Sequence, residues 1–164
     1  MHAGHGRLEV IMERTATLSE DGRYRYRLSR IWSAEPPVTF VLLNPSTADA
    51  DADDPTIRRC IGFARRWGCG GVIVVNLYGY RTPWPAVLWQ ARDPVGPDND
   101  DHLRAALAGD GLTVAAWGCQ ARSDRIARLL SYRPALTALG VTRSGQPRHP
   151  LYLPGTAAPA PWME

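Results

Sequence analysis

The sequence predicts a three-layer α/β domain in which helices cover a mostly parallel, four-stranded central sheet that carries an N-terminal β-hairpin at its edge. Three observations predict it. Four short apolar runs recur along the chain, segments with apolar residues at helical spacing separate them, and the first 35 residues form two β-rich runs around a tight turn. At 164 residues and 45% hydrophobic, the chain is long enough for one core without metal or disulfide staples. It reads as a single domain, 1–164, made of a hairpin extension (1–35), an α/β core (36–153) and a surface tail (154–164).

The elements follow in order. Arg7 to Ala16 and Tyr24 to Trp32 flank Glu20-Asp21-Gly22, and the second run alternates Tyr24, Tyr26 and Leu28 against Arg23, Arg25 and Arg27. That alternation predicts one packed and one solvated face. Past Pro36-Pro37 come the apolar runs Val38 to Leu43, Val72 to Leu77, Leu112 to Trp117 and a weaker Leu136 to Val141. Ile57, Ile61, Ala64 and Trp67 mark the first intervening helix, which Asp54 caps and Pro55 begins. Leu103 and Leu107 mark the second, capped by Asp98 or Asn99, and Ile126, Leu129 and Leu130 mark the third. Strands alternating with helices imply right-handed crossovers between parallel strands.

Charge and composition narrow the function. The net charge is +3 and all 19 basic residues are Arg, a usage that, with abundant Ala, Pro and Gly, reflects genome composition more than chemistry. Such an excess is small for gripping a long duplex through many phosphate contacts, so a nucleotide or a short stretch of nucleic acid is the expected partner. No run approaches the roughly 20 apolar residues of a membrane span, and the N-terminus lacks a signal-peptide pattern, so a cytoplasmic protein with no membrane partner is expected. Cys60, Cys69 and Cys119 have no CxxC spacing and read as thiols rather than disulfide or zinc ligands.

Ligands of open parallel sheets bind outside the carboxyl ends of the strands. Those ends carry Asn44-Pro45-Ser46-Thr47, then Asn76-Leu77-Tyr78-Gly79-Tyr80-Arg81, then Trp117-Gly118, then Arg148-His149-Pro150-Leu151-Tyr152. Polar groups able to hold a base or position a water therefore gather at one rim. The acidic run Asp49 to Asp54 starts like a calcium loop but has Asp54 and Cys60 where such a loop needs Gly and Glu, so it reads as a solvated loop ending in a helix cap, with no metal assigned and a loose magnesium site left as the alternative. His2 and His5 belong to the terminus, and His102 suits a helix surface. His149 stands apart: as a neutral imidazole it could donate to a carbonyl or stabilise a developing anion. No G-x-S-x-G elbow, Walker loop or G-x-G-x-x-G follows the first apolar run, and Ser46 as a nucleophile lacks an identifiable base.

Four of these strand-end blocks resemble the uracil-DNA glycosylase superfamily, in that family's order. Val41-Leu42-Leu43-Asn44-Pro45 resembles the motif whose acidic or amide side chain positions the attacking water; GVIVVN, Gly71 to Asn76, resembles the strand ending in the Asn that reads the flipped base. Ala115-Ala116-Trp117-Gly118 resembles the third strand and its Trp-Gly turn, and Arg148-His149-Pro150 resembles the motif whose His stabilises the departing base. The resemblance implies a glycosylase-like fold and an N-glycosidic hydrolase acting on a nucleic acid or nucleotide without a cofactor. Asn44 and His149 would be catalytic, while Pro45, Ser46, Asn76, Tyr78, Trp117 and Arg148 would bind substrate. Phe63, Trp67 and Tyr78 are candidates to stack on a base, although helical spacing puts Trp67 in the core first. LNPSTADADADDPTIRRC, NLYGYR, DPVGPDND and RHPLYL together resemble a bacterial family known only as a domain of unknown function.

Two departures bear on the substrate. The last motif continues Leu-Tyr where the repair enzymes have Ser and a wedge residue, and the acidic run sits beside the motif that approaches the backbone, where carboxylates repel phosphates. A free nucleotide, a modified base or RNA therefore fits as well as duplex DNA. Two other readings stand beside hydrolysis. A non-catalytic nucleotide or nucleic-acid binding module would use the same pocket, and a metal-dependent phosphoryl-transfer site would use Asp49 to Asp54, Asp98 and Asp100. The oligomeric state is open: a basic, tyrosine-rich edge strand suits a monomer or a paired edge.

Overall fold

The computed structural model describes residues 11–162. It corrects the expected layout. Among the described residues the sheet has seven strands and is mixed, in the order β1-β2-β4-β3-β5-β6-β7, rather than four strands and mostly parallel in the glycosylase-like manner.

The strands are β1 (Glu13–Leu18), β2 (Arg25–Ile31), β3 (Val38–Leu42), β4 (Gly71–Asn76), β5 (Thr113–Ala115), β6 (Leu136–Ala138) and β7 (Ala160–Trp162). The helices are α1 (Pro55–Arg66), α2 (Pro85–Leu88), α3 (Asn99–Leu107) and α4 (Ser123–Tyr132), with a 3-10 turn at Pro150–Tyr152. β3 pairs in parallel with β4 and β5, and β5 with β6. β2 and β7 lie antiparallel outside them, on β4 and β6 respectively.

Both added strands have a physical reason. An open edge on β4 or β6 would leave a row of backbone N–H and C=O groups unpaired. The hairpin is therefore an integral part of the sheet: Leu28 to Ile31 pair with Gly71 to Val74. Gly71 permits it, because a Cβ there would sit 2.6 Å from the Arg30 carbonyl oxygen. The segment expected as a surface tail supplies β7, whose Pro161 is tolerated at a sheet edge. Trp162 pins it, with its ring edge-on to Trp117 at 5.3 Å and its Nε1 donating to Gly145 O at 2.9 Å.

Two cores flank the sheet. Ile57, Cys60, Phe63 and Ala64 of α1 pack on Val38, Phe40, Val72 and Val74. Leu103 and Leu107 of α3, with Ile126 and Leu129 of α4, pack on Val41, Val75 and Ala115 across the opposite face. At roughly 25 cal/mol per Å² of apolar area removed from water, these two layers supply most of the driving force for folding. α1 begins as expected: Asp54 accepts from Ile57 N at 2.9 Å and Pro55 occupies the first helical position. α3 starts at Asn99 after Asp98, yet neither side chain caps it; the Asn99 amide donates to Asn76 O and Leu77 O. Phe63 and Trp67 belong to the core, where their rings stack on each other and Trp67 also stacks on Phe40. No helix among the described residues is long and apolar enough to cross a membrane.

The alternating face expected of β2 is broken. Thr17 pairs with Arg27 and Leu18 with Arg25, so Tyr26 has no partner on β1 and forms a bulge. Tyr26 stacks on His102 of α3 at 5.2 Å. Arg25 and Arg30, which strict alternation would place on opposite faces, both turn against the loop between β3 and α1 and are 1% and 0% exposed. The predicted solvated arginine face is thus partly interior.

Candidate functional site

The chain leaves β3 toward β4 on one side and β5 toward β6 on the other, so the topological switch point lies between β3 and β5. That is where ligands of open α/β sheets bind. A cavity of about 440 Å³ opens beside it, lined by Arg25, Leu42, Asn44, Ser46, Thr47, Asp54, Thr56, Thr82, His149 and Tyr152 among others. A smaller cavity of about 210 Å³ adjoins it along His149, Tyr152 and Pro85 and reaches Trp117, Gly118 and Arg148. On the other flank, Ser46, Thr47 and Thr82 are shared with a hollow that contains Arg23 and Arg81.

Backbone bonds between strand-end loops hold this rim together. Leu77 N and Tyr78 N donate to Leu42 O and Leu43 O, and Thr82 N donates to Pro45 O, all at 2.9 Å. Gly118, with φ of 76°, takes the left-handed turn that glycine allows, and its N–H reaches Pro147 O at 2.8 Å. Arg59 of α1 donates to Pro150 O at 3.3 Å and also to Leu153 O. The turn bearing His149 is thereby tied to the helix that Asp54 caps.

His149 precedes the 3-10 turn, and its Nδ1 accepts from Leu151 N at 3.2 Å. A neutral ring with Nδ1 accepting carries its proton on Nε2, as a donor. Burial pushes the His149 pKa below its ordinary 6.5, opposed by the Asp54 carboxylate. The imidazole is thus held as a neutral hydrogen-bond donor at neutral pH.

Asn44 lies in the same cavity with its Nδ2 donating to Pro45 O and Thr82 O at 3.0 Å and to Tyr80 O at 3.4 Å. Its nitrogen clamps two loops, and its oxygen remains as the group able to accept. Ser46 lines the main cavity, and Pro45 is buried behind it. Trp117 is 1% exposed, borders the smaller cavity and donates from Nε1 to Gln146 Oε1 at 3.1 Å. Arg148 borders it too and donates to Tyr152 O at 2.6 Å.

Asn76 and Tyr78 are placed elsewhere. Asn76 is 0% exposed, lines none of these cavities, and has no partner for either amide atom. Tyr78 is buried against Trp89, and its hydroxyl accepts from Arg122 N at 3.2 Å. Neither is open to a base.

Two charged side chains line the cavity without having been expected at a base-binding pocket: Arg25, which sequence reasoning missed, and Asp54, which it offered only as a helix cap or a metal-site carboxylate. Asp54 was legible as a cap, and the cap is real, but its carboxylate also faces the cavity. Arg25 looked solvated. Its Nη1 donates to Ala48 O at 2.9 Å, its Nε is buried without a partner, and burial pushes its pKa down to about 10 despite the pull of Asp54. A signal for it would have required foreknowledge of the bulge at Tyr26.

The acidic run is less solvated than expected. Asp53 pairs with buried Arg30 at 2.9 Å, and Asp49 Oδ1 accepts from Asp51 N and Ala52 N. Among the described residues no three His, Cys, Asp or Glu side chains converge as metal ligands. Asp100 instead pairs with Arg125 at 2.8 Å. The cysteines are free thiols, Cys60 buried, Cys69 half-buried and Cys119 exposed. His2 and His5 lie outside the described residues.

Residues 25–151 match the family described as Protein of unknown function (DUF1643). No curated protein and no solved structure matches the chain. The matched stretch contains Arg25, Asn44, Asp54 and His149, four of the polar side chains that line the cavity.

Proposed function

The chain thus belongs to that family, and from its cavity we propose that it binds a nucleobase-bearing ligand and hydrolyses the N-glycosidic bond. One observation carries the reading. Asn44 and His149, distant in sequence, line one cavity at the strand ends, as the motif resemblance to uracil-DNA glycosylases requires of them. The proposal rests on these side chains rather than on the sheet, which differs from that family's.

The chemistry follows from what each group offers. Water attacks the anomeric carbon, the carbon–nitrogen bond breaks, and its electron pair leaves with the base. The His149 Nε2–H is a preorganised donor for the negative charge that grows on the base, and such donors contribute about 10²–10³ in rate. Asn44 Oδ1 orients the water. Asp54 supplies the carboxylate that accepts the water's proton, a group that none of the motif-matched positions contains.

Base release measured by mass spectrometry tests this, with uracil-, hypoxanthine- and damage-containing oligonucleotides, single- and double-stranded, and free nucleotides as substrates. Wild type releases base from one class, and His149→Ala loses at least about 10² in rate. No release from any substrate by the folded wild type overturns the hydrolase reading. One observation favours a second reading, a non-catalytic nucleotide-binding module: the Asn44 nitrogen already serves three loop carbonyls, which is a structural task. Binding without turnover selects it.

A further inference from the structure

Hydrolysis leaves Arg25 unused. Three arginines among the described residues are more than nine-tenths buried: Arg25, Arg30 and Arg125. Arg30 meets Asp53 at 2.9 Å and Arg125 meets Asp100 at 2.8 Å. Among the described residues the Arg25 guanidinium joins no ion pair, donates one hydrogen bond, and leaves its Nε unpartnered. A buried cation that no carboxylate contacts directly is costly unless a ligand makes that contact, and the pull of Asp54 from a distance does not undo the burial. Arg25 lines the cavity, where such a ligand would sit.

The neighbouring donors select the anion. Ser46, Thr47 and Thr56, each bearing a hydroxyl, line the same cavity. Asp54 takes the Ile57 N–H and Pro55 has none, so the Thr56 N–H is the first-turn donor of α1 that the cap leaves free. The positive end of a 12-residue helix also points there. A guanidinium joined by donor-bearing residues from both the loop after β3 and the first turn of α1 suits a tetrahedral phosphate better than a planar carboxylate. The volume of about 440 Å³ suits a ligand of nucleotide size.

We propose that this cavity is a phosphate site, in which Arg25 with Ser46, Thr47 and Thr56 holds the phosphate of a nucleotide whose base reaches His149. The assignment of the base end rests on the nucleobase reading above. Asp54, which faces the same cavity, opposes the phosphate and moderates its affinity.

Calorimetry at constant ionic strength tests it, with inorganic phosphate, a nucleoside 5′-monophosphate, the same nucleoside and a single-stranded oligonucleotide of that base. The proteins are wild type, Arg25→Met, Asp54→Asn, Thr56→Val and, as a control on the exposed side of α4, Arg128→Gln. Wild type binds the monophosphate at least tenfold tighter than the nucleoside, and inorganic phosphate competes with it. Arg25→Met abolishes that preference, Asp54→Asn strengthens it, and Arg128→Gln leaves it unchanged. Equal binding of nucleotide and nucleoside by wild type overturns the site, as does a preference that survives in folded Arg25→Met. Should Arg25→Met not fold, phosphate affinity unchanged in both Thr56→Val and Asp54→Asn overturns it instead. Tighter binding of the oligonucleotide than of the monophosphate assigns the phosphate to a polymer backbone; the reverse assigns a free nucleotide. Nucleotide binding without base release overturns hydrolysis alone. Base release from a nucleoside as fast as from its monophosphate overturns the phosphate site alone.

Discussion

Arg30 and Arg25 lie five residues apart on β2, both buried against the loop between β3 and α1, and their surroundings are opposite. Arg30 bonds to the Asp53 carboxylate and to the carbonyls of Thr15, Ser29, Asp49 and Ala52. Arg25 bonds to the Ala48 carbonyl alone and borders the cavity. One arginine is a bolt and the other is a receptor. A buried charge whose hydrogen bonds are complete holds an element in place, whereas a buried charge left incomplete is poised to bind. The acidic run takes its meaning from the same contrast: Asp53, on the outer flank, is neutralised by Arg30 and Arg14, while Asp54 faces the cavity.

The largest test of the contrast is Arg30→Ala. It leaves Asp53 and the Asp49 carbonyl without their main partner and is expected to cost about 3–5 kcal/mol, read from urea denaturation. A loss under about 1 kcal/mol would remove the distinction between bolt and receptor. Arg25→Met, at the other pole, deletes a cation that joins no ion pair and keeps an unbranched apolar stem. Its stability is expected within about 1 kcal/mol of wild type in the same measurement, since the one lost hydrogen bond is worth about that much.

The smallest effect is in pH. His149 shares the cavity with Arg25, and its folded pKa lies below 6.5, so just below pH 6.5 the unfolded chain binds more protons than the folded one. Stability contributed by the neutral ring is therefore present above pH 6.5 and falls as the pH drops through the folded value. His149→Asn retains a side chain able to cap the 3-10 turn and has nothing to titrate there. The difference between wild-type and His149→Asn denaturation midpoints should narrow on acidification from pH 6.5. A constant difference would show that the ring does not change its proton affinity on folding.

Much of the fold was readable. Val38 to Leu42 is apolar at every second position and beyond because β3, central in the sheet, is covered on both faces. α1 was announced by Asp54-Pro55 and by Ile57 and Ala64 on one stripe. The four-residue α2 and three-residue β7 were not, because so few residues express no period. At the site, Asn44 and His149 were legible as polar residues directly following strands. Asn76 shares that position, yet it lies at 0% exposure beneath the rim, and no local pattern separates it from Asn44.

What the sequence alone determined is the set of buried strands and capped helices, since burial demands apolar side chains at a period that neighbouring residues reveal. Long-range pairing decided the rest: which strands close the edges of the sheet, and on which side of β2 each arginine falls. A single extra residue at Tyr26 reverses the parity of every side chain beyond it. Such a bulge becomes visible only against its partner strand, so the placement of Arg25 in the cavity belongs to the tertiary structure.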